Sequence, residues 1–333
     1  MTVNIIDPHL HLFNLSRGDY HWLKTQNPPF WPDKTLIQND FSVEELNDSL
    51  HASNKIKLAG FVHIEAGFDN AQPWRELEYI ESIPCQNNRT VASIDLLSMP
   101  EHFQASLLRL QQHQSLTGAR HILDEQAATI LVNKNTQQNF AKLNEITDFI
   151  FELQLPLADE SAINVMPLLT HTISNNSQLC FIINHAGFPP KRAPKDIRSD
   201  AWHLWQQHLT ELAKYPNVFI KCSGWEMTDR HYKMSWFSEV TAFCLNTFSI
   251  DRVMLASNFP LCLLGKEPGK KLGKEVGKEV GNKLSSELNN KSYDSYWQDI
   301  LESKVIEQCS KNEKSALLYS NALRIYKLSN SQS

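Results

Sequence analysis

The chain has no surplus of positive charge: 32 lysines and arginines face 37 aspartates and glutamates, for a formal net charge of −5. Without a basic field there is nothing to hold nucleic acid or an anionic membrane, and both are set aside as partners. No apolar run approaches the ~20 residues that span a bilayer. The opening MTVNIIDPHL lacks the cationic region and long apolar stretch of an export signal, so the expected location is the cytoplasm. Cysteine is sparse and unpatterned. Cys85, Cys180, Cys222, Cys244, Cys262 and Cys309 contain no CxxC pair and no short metal-ligand spacing, and most read as small buried hydrophobes in a reducing compartment. Also missing is a GxGxxG after the first apolar run, which argues against a dinucleotide-binding fold.

Glycine is scarce too, and its distribution is uneven. Five of the eleven stand at every fourth position from 265 to 281, the last four within GKKLGKEVGKEVGNK. Each glycine weakens a helix by about 1 kcal/mol relative to alanine, and the interleaved Lys and Glu offer little to bury. Residues 265–290 therefore read as a solvated insertion, or as a helix that forms only on contact with a partner.

What the chain does have is a repeat of short apolar or β-branched runs, at residues 3–9, 58–65, 90–96, 118–123, 155–159, 179–185, 218–223 and 252–258. The stretches between them, such as 139–154 and 202–215, space apolar residues three or four apart, as helices covering a sheet do. Eight such units predict an α/β protein with a closed (β/α)8 barrel, a single domain over residues 1–328. A second insertion, residues 14–41, follows the first run. It carries YHWL and PPFWP, whose prolines forbid regular structure and whose aromatics need something to pack on, so it is expected to form a lid over the barrel mouth.

In such a barrel the chemistry sits at the C-terminal ends of the strands, where several polar residues close apolar runs. Strand one ends in Asp7, Pro8, His9, Leu10 and His11. Alternation makes His9 and His11 share a face, into the barrel if Leu10 points out. Strand six adds His185 at the same level, within NHAG. Glu65 closes strand two, Arg120 and His121 close strand four, and Lys221 leads into Ser223, Gly224 and Trp225 after strand seven. A buried charge there is costly unless paired or used. Arg120 suits a carboxylate or hydroxyl oxygen, or a salt bridge to Glu65 or Asp95; Lys221 suits a substrate or a buried partner equally. Trp22, Trp31 and Trp225 suit either an apolar face for a sugar ring or the packing of the lid. Asn258 ends the eighth run, in MLASNFPLC.

DPHLHLF, YHWL, HIEA, GARHIL, INHAGFP, NVFIKCSGW, ASNFPLCLL, SYDSYWQDIL and SNALRIY follow one another in an order that resembles the amidohydrolase-related lactonases, a group including fuconolactonase, rhamnonolactonase and pyrone dicarboxylate lactonase. The resemblance implies water attack on the carbonyl of a sugar-acid lactone, a small-molecule partner; oligomeric state is left open. It implies catalytic roles for His9, His11, His185 and the residue at 258, with Arg120, Glu65, His121, Trp22, Lys221 and Trp225 around the substrate. The family's strand-eight motif reads SDWP, and its aspartate takes a proton from the attacking water. Here the motif reads SNFP, so Asn258 stands where that base belongs.

An amide orients a water but takes up no proton at ordinary pH. Losing a positioned base costs about 10²- to 10⁴-fold in rate. Asp159, Glu160 or His121 are the candidates to replace it; otherwise the chain is an impaired relative that binds a lactone or sugar acid without turnover. Three neutral imidazoles at His9, His11 and His185 admit a zinc ion, but without a carboxylate they should hold it weakly, and no cofactor is obligatory.

Overall fold

Alternation along the apolar runs sorts their side chains into two buried sets. Ile6, Val62, Ile64, Val91, Ile150, Ile182 and Met254 pack with one another inside the sheet, whereas Ile5, Leu10, Phe61, Ala119, Phe151, Phe181, Ile183, Ile220 and Leu255 pack against the surrounding helices. The sorting follows from the two-residue period of a strand buried on both faces. The computed structural model describes residues 2–51, 53–84, 87–191, 200–266 and 290–329. The strands are β1 (Val3–Leu10), β2 (Ile56–Ile64), β3 (Asn88–Ser93), β4 (Leu116–Arg120), β5 (Ile150–Leu153), β6 (Cys180–Ile183), β7 (Val218–Cys222) and β8 (Val253–Leu255). All neighbours are parallel and in sequential order, giving a nearly closed eight-stranded barrel.

The ring is drawn together beyond the ends of β1 and β8. The Asn258 amide N–H donates to the His9 carbonyl at 2.8 Å, and the His11 N–H donates to the Phe259 carbonyl at 2.7 Å. Asp7 locks the same seam. Its carboxylate accepts the backbone N–H groups of Ser257 at 3.0 Å and His9 at 3.2 Å, together with the hydroxyls of Ser257 and Tyr293. Burial pushes this carboxyl up to about 6, against the pull of those four donors. The other end of the barrel is plugged by the C-terminal segment, where Ala322, Ile325, Tyr326 and Leu328 join the interior cluster.

Strand five departs from the expectation of residues 155–159. β5 lies one run earlier, at Ile150–Leu153, and the preceding helix ends at Asn144. The acidic Glu152 made FIFEL read as the tail of a helix, but Glu152 is an interior strand residue paired across the barrel with Lys221, whose ammonium donates to it at 2.6 Å. Asn184 and the Tyr326 hydroxyl donate to the same carboxylate. The glycine-repeat insertion expected at 265–290 lies, between residues 267 and 289, outside the described residues.

Residues 14–41 form short 3-10 turns, His21–Leu23 and Lys34–Ile37, rather than regular helix. The buried Lys34 ammonium holds the segment together by donating to the carbonyls of Trp22 at 2.8 Å, Lys24 at 3.2 Å and Asn27 at 2.6 Å. The Trp22 indole N–H donates to the Ala66 carbonyl just past β2 at 2.7 Å, fastening the segment near the strand ends. Among the described residues no helix is long and apolar enough to cross a membrane.

Candidate active site

Inward alternation alone would place His9 and His11 on the wrong side of β1, because Ile6 already faces the interior and Leu10 would follow it. The register against β2 slips between Asp7 and Leu10, so Leu10 packs outward and the imidazoles between and beyond turn in. The His9 ring lies 5.2 Å from that of His11 and 4.6 Å from that of His185, centre to centre. Three histidines from β1 and the end of β6 thus converge, as the strand-end argument required.

His185 is delivered by strained backbone. His185, Ala186, Gly187 and Phe188 all have left-handed φ, at 53°, 50°, 67° and 54°, a conformation that costs a non-glycine residue about 1 kcal/mol or more. The turn is braced by the Trp205 indole, which donates to the Ala186 carbonyl at 2.7 Å. The Nδ1 of His185 and the Ser223 hydroxyl are 3.0 Å apart. Gly224, at φ 67°, packs flat against the imidazole: a Cβ there would lie 2.4 Å from His185 Nδ1.

The three imidazoles differ in what they have left to offer. His11 Nδ1 is 2.8 Å from the Ile64 carbonyl, so it carries the proton and donates. Neither ring nitrogen of the fully buried His9 has a hydrogen-bond partner among the described residues. Burial holds all three well below the usual histidine range, and the positive charges of Arg120 and Lys221 push His9 and His185 the same way. The site therefore presents neutral imidazoles, donors of N–H rather than carriers of charge.

Arg120 and Glu65 meet as a buried pair. The Arg120 Nε donates to the Glu65 carboxylate at 2.7 Å, its Nη2 to the Glu65 carbonyl at 2.9 Å and its Nη1 to the Gln154 side chain at 3.1 Å. The salt bridge considered for Arg120 is thus formed, and it leaves about two of the five guanidinium N–H donors unassigned. A cleft of about 780 Å³ opens beside these strand ends, lined by Glu65, Trp74, Asp95, Arg120 and His121 among others. His121 turns away from the imidazoles: its Nδ1 faces the Ile94 carbonyl at 3.0 Å and the Leu96 N–H at 3.2 Å. Lys221 is committed to Glu152, and Trp225 packs edge-on against Trp236 and Phe237 in the core. Trp22 stands edge-on to Trp31, 6.0 Å away, within the 14–41 segment.

Asn258 lies beside the histidines, 1% exposed and left-handed at φ 63°. Its side chain lies close to His11, and its Nδ2 donates at 2.6 Å to the Glu226 carboxylate. Asp159 and Glu160, two candidates to replace the missing base, are exposed instead. Glu226 was not singled out from the sequence. It follows Trp225 in a four-residue helix, Trp225–Thr228, yet is only 1% exposed, and burial pushes its carboxyl up to about 7. The available signal was its place two residues past Gly224, at the end of a barrel strand.

Among the described residues no group of three or more His, Cys, Asp or Glu side chains is disposed to hold a metal ion. His11 Nδ1 donates to a carbonyl and His185 Nδ1 faces a hydroxyl, contacts that leave the Nε2 side of each ring for a metal, and Glu226 Oε1 is bonded to Asn258. What the three neutral imidazoles do not bring to a divalent ion is an anionic ligand.

The family model for amidohydrolases matches residues 6–328. The chain belongs to the amidohydrolase family. An uncharacterized protein, y4mH, from Sinorhizobium fredii is 25% identical over 98% of this chain and 99% of its own length. An L-fucono-1,5-lactonase from Burkholderia multivorans is 24% identical over 78% of this chain and 83% of its own. The crystal structure of an amidohydrolase from Burkholderia multivorans, determined with bound HEPES and again with bound zinc, superposes with a TM-score of 0.72 at 20% identity over 98% of this chain and 100% of that one. The (β/α)8 architecture of this amidohydrolase-family chain is thus shared with solved relatives.

Proposed function

We propose that this amidohydrolase-family protein opens a sugar-acid lactone by attack of water on the ring carbonyl. The observation that carries the reading is His9, buried with both ring nitrogens unpartnered beside His185. A buried donor without a partner is costly, and a carbonyl oxygen that gains negative charge as water adds would satisfy it. His185 supplies a second imidazole on the same oxygen, while His11, held by Ile64, stands close to Asn258. The cleft that reaches Arg120, with the spare donors of that guanidinium, suits the hydroxyls of a sugar ring. Relatives named as fuconolactonases support the lactone class.

The test is acid release, followed at constant pH, from a panel of aldonolactones including fucono- and rhamnonolactones. Saturable release is expected from at least one, falling about 10²- to 10³-fold in His9→Asn, the cost of removing one donor to the developing oxyanion. Asn258 favours a second reading, a protein that binds the lactone or sugar acid without turning it over. Ligand-dependent thermal stabilisation with no acid release from any lactone would establish that reading in place of the first.

We also propose that the reaction runs without a resident metal. Purified protein should carry zinc far below one equivalent, and dialysis against a chelator should leave the rate unchanged. Stoichiometric zinc, removed together with activity, would refute this.

A further inference from the structure

A buried carboxylate with one oxygen in use and the other without a partner calls for an explanation. Glu226 Oε1 accepts from Asn258 at 2.6 Å, whereas Oε2 is buried and has no hydrogen-bond partner among the described residues. Such an acceptor carries the full penalty of desolvation unless something transient occupies it. The residue that orients Glu226 is the one standing where the resembling family places its proton acceptor. The Asn258 amide thus lies close to His11 and donates to a carboxylate.

We infer that Glu226 is the general base of this site, the carboxylate absent from the end of β8 being supplied by the turn after β7. This rests on the lactone reading above. Water attacks the lactone carbonyl carbon while the Oε2 of Glu226 takes its proton. The oxyanion forms against His9 and His185. When the ring C–O bond breaks, Glu226 returns the proton to the departing alkoxide, and the product is the open hydroxy acid. Asn258 is a positioning residue: it anchors Oε1 and leaves Oε2 to the water.

The surroundings keep this carboxylate suited to the task. Arg230 donates to the Glu226 main-chain carbonyl rather than to its carboxylate, and its own Nε is taken by Asp33 of the 14–41 segment at 2.8 Å. Cys262 and Tyr296 also lie near Glu226, both pushed up by burial and neutral at ordinary pH. A base titrating near pH 7 combines a useful ionised fraction with useful basicity.

The experiment compares four proteins on the lactone panel: the natural chain, Glu226→Gln, Asn258→Asp and the double exchange Glu226→Gln/Asn258→Asp. Glu226→Gln keeps the shape and an acceptor for Asn258, so it should fold and still be stabilised by a sugar acid in a melting assay. Its kcat should fall about 10²- to 10⁴-fold with little change in KM. The natural enzyme should gain rate as pH rises through about 7, and the variant should lose that limb. The double exchange, which returns the carboxylate to position 258, should recover at least tenfold over Glu226→Gln. Turnover by the natural chain with an unchanged rate and pH profile in Glu226→Gln overturns the inference while leaving the lactone reading standing. A double exchange no faster than Glu226→Gln also counts against it. Absence of turnover by all four proteins removes the lactone reading, and this inference with it.

Discussion

Lys221→Met should lower the unfolding free energy by about 3–5 kcal/mol, the cost of stripping one partner from a buried ion pair. Lys221 and Glu152 are both 0% exposed, with Nζ and Oε1 2.6 Å apart. Burial drags the Lys221 ammonium down to about 8 even with Glu152 beside it, which shows how much desolvation the pair must offset. Without the lysine, Glu152 keeps only the Asn184 amide and the Tyr326 hydroxyl, and it must either stay charged in the barrel interior or take up a proton. The double variant Lys221→Met/Glu152→Gln should regain most of the loss, since a neutral amide still serves both remaining partners. Urea titrations of the two single variants and the double at pH 7 close the cycle. Additive effects of the two substitutions would show that the pair is not the source of the stability.

Gly224→Ala should cost about 10²-fold in turnover by displacing His185, with no catalytic side chain itself exchanged. Two effects combine. The backbone at φ 67° disfavours any side chain, by about 1–2 kcal/mol. The new methyl carbon would also start 2.4 Å from Nδ1 and 2.6 Å from Cγ of His185, so the imidazole must move by about 1 Å, enough to cost 10²-fold where orientation matters. The measurements are kcat on the best lactone of the panel and a crystal structure of the variant. A displaced His185 with an unchanged rate would remove that histidine from the mechanism. An undisplaced His185 would mean the turn yields instead, and the strain should then appear only as a lower melting temperature.

Much of the fold was legible because barrel strands are local signals. A strand buried on both faces must be an apolar run, and the polar residues that close it must do something, so His9, His11, His185, Arg120 and Asn258 could be named from position alone. The misplacement of β5 has the same origin. A charged residue inside an interior strand breaks the signal, and Glu152 does so because its partner lies 69 residues away on β7. Glu226 was missed for a related reason. A glutamate in a short polar turn reads as solvated surface unless one knows what the turn is pressed against.

Composition and the order of strand-end motifs were therefore enough for the barrel and the histidine cluster, because each depends on residues close together in the chain or on the repeat itself. Closure of the barrel decided the rest: that a slip in β1 turns His9 inward, that Lys221 spends its charge on Glu152, and that a carboxylate 32 residues from Asn258 stands against its amide at 2.6 Å. Those outcomes depend on which charges are withdrawn from water together. Desolvation is a property of the assembled neighbourhood, not of the residue.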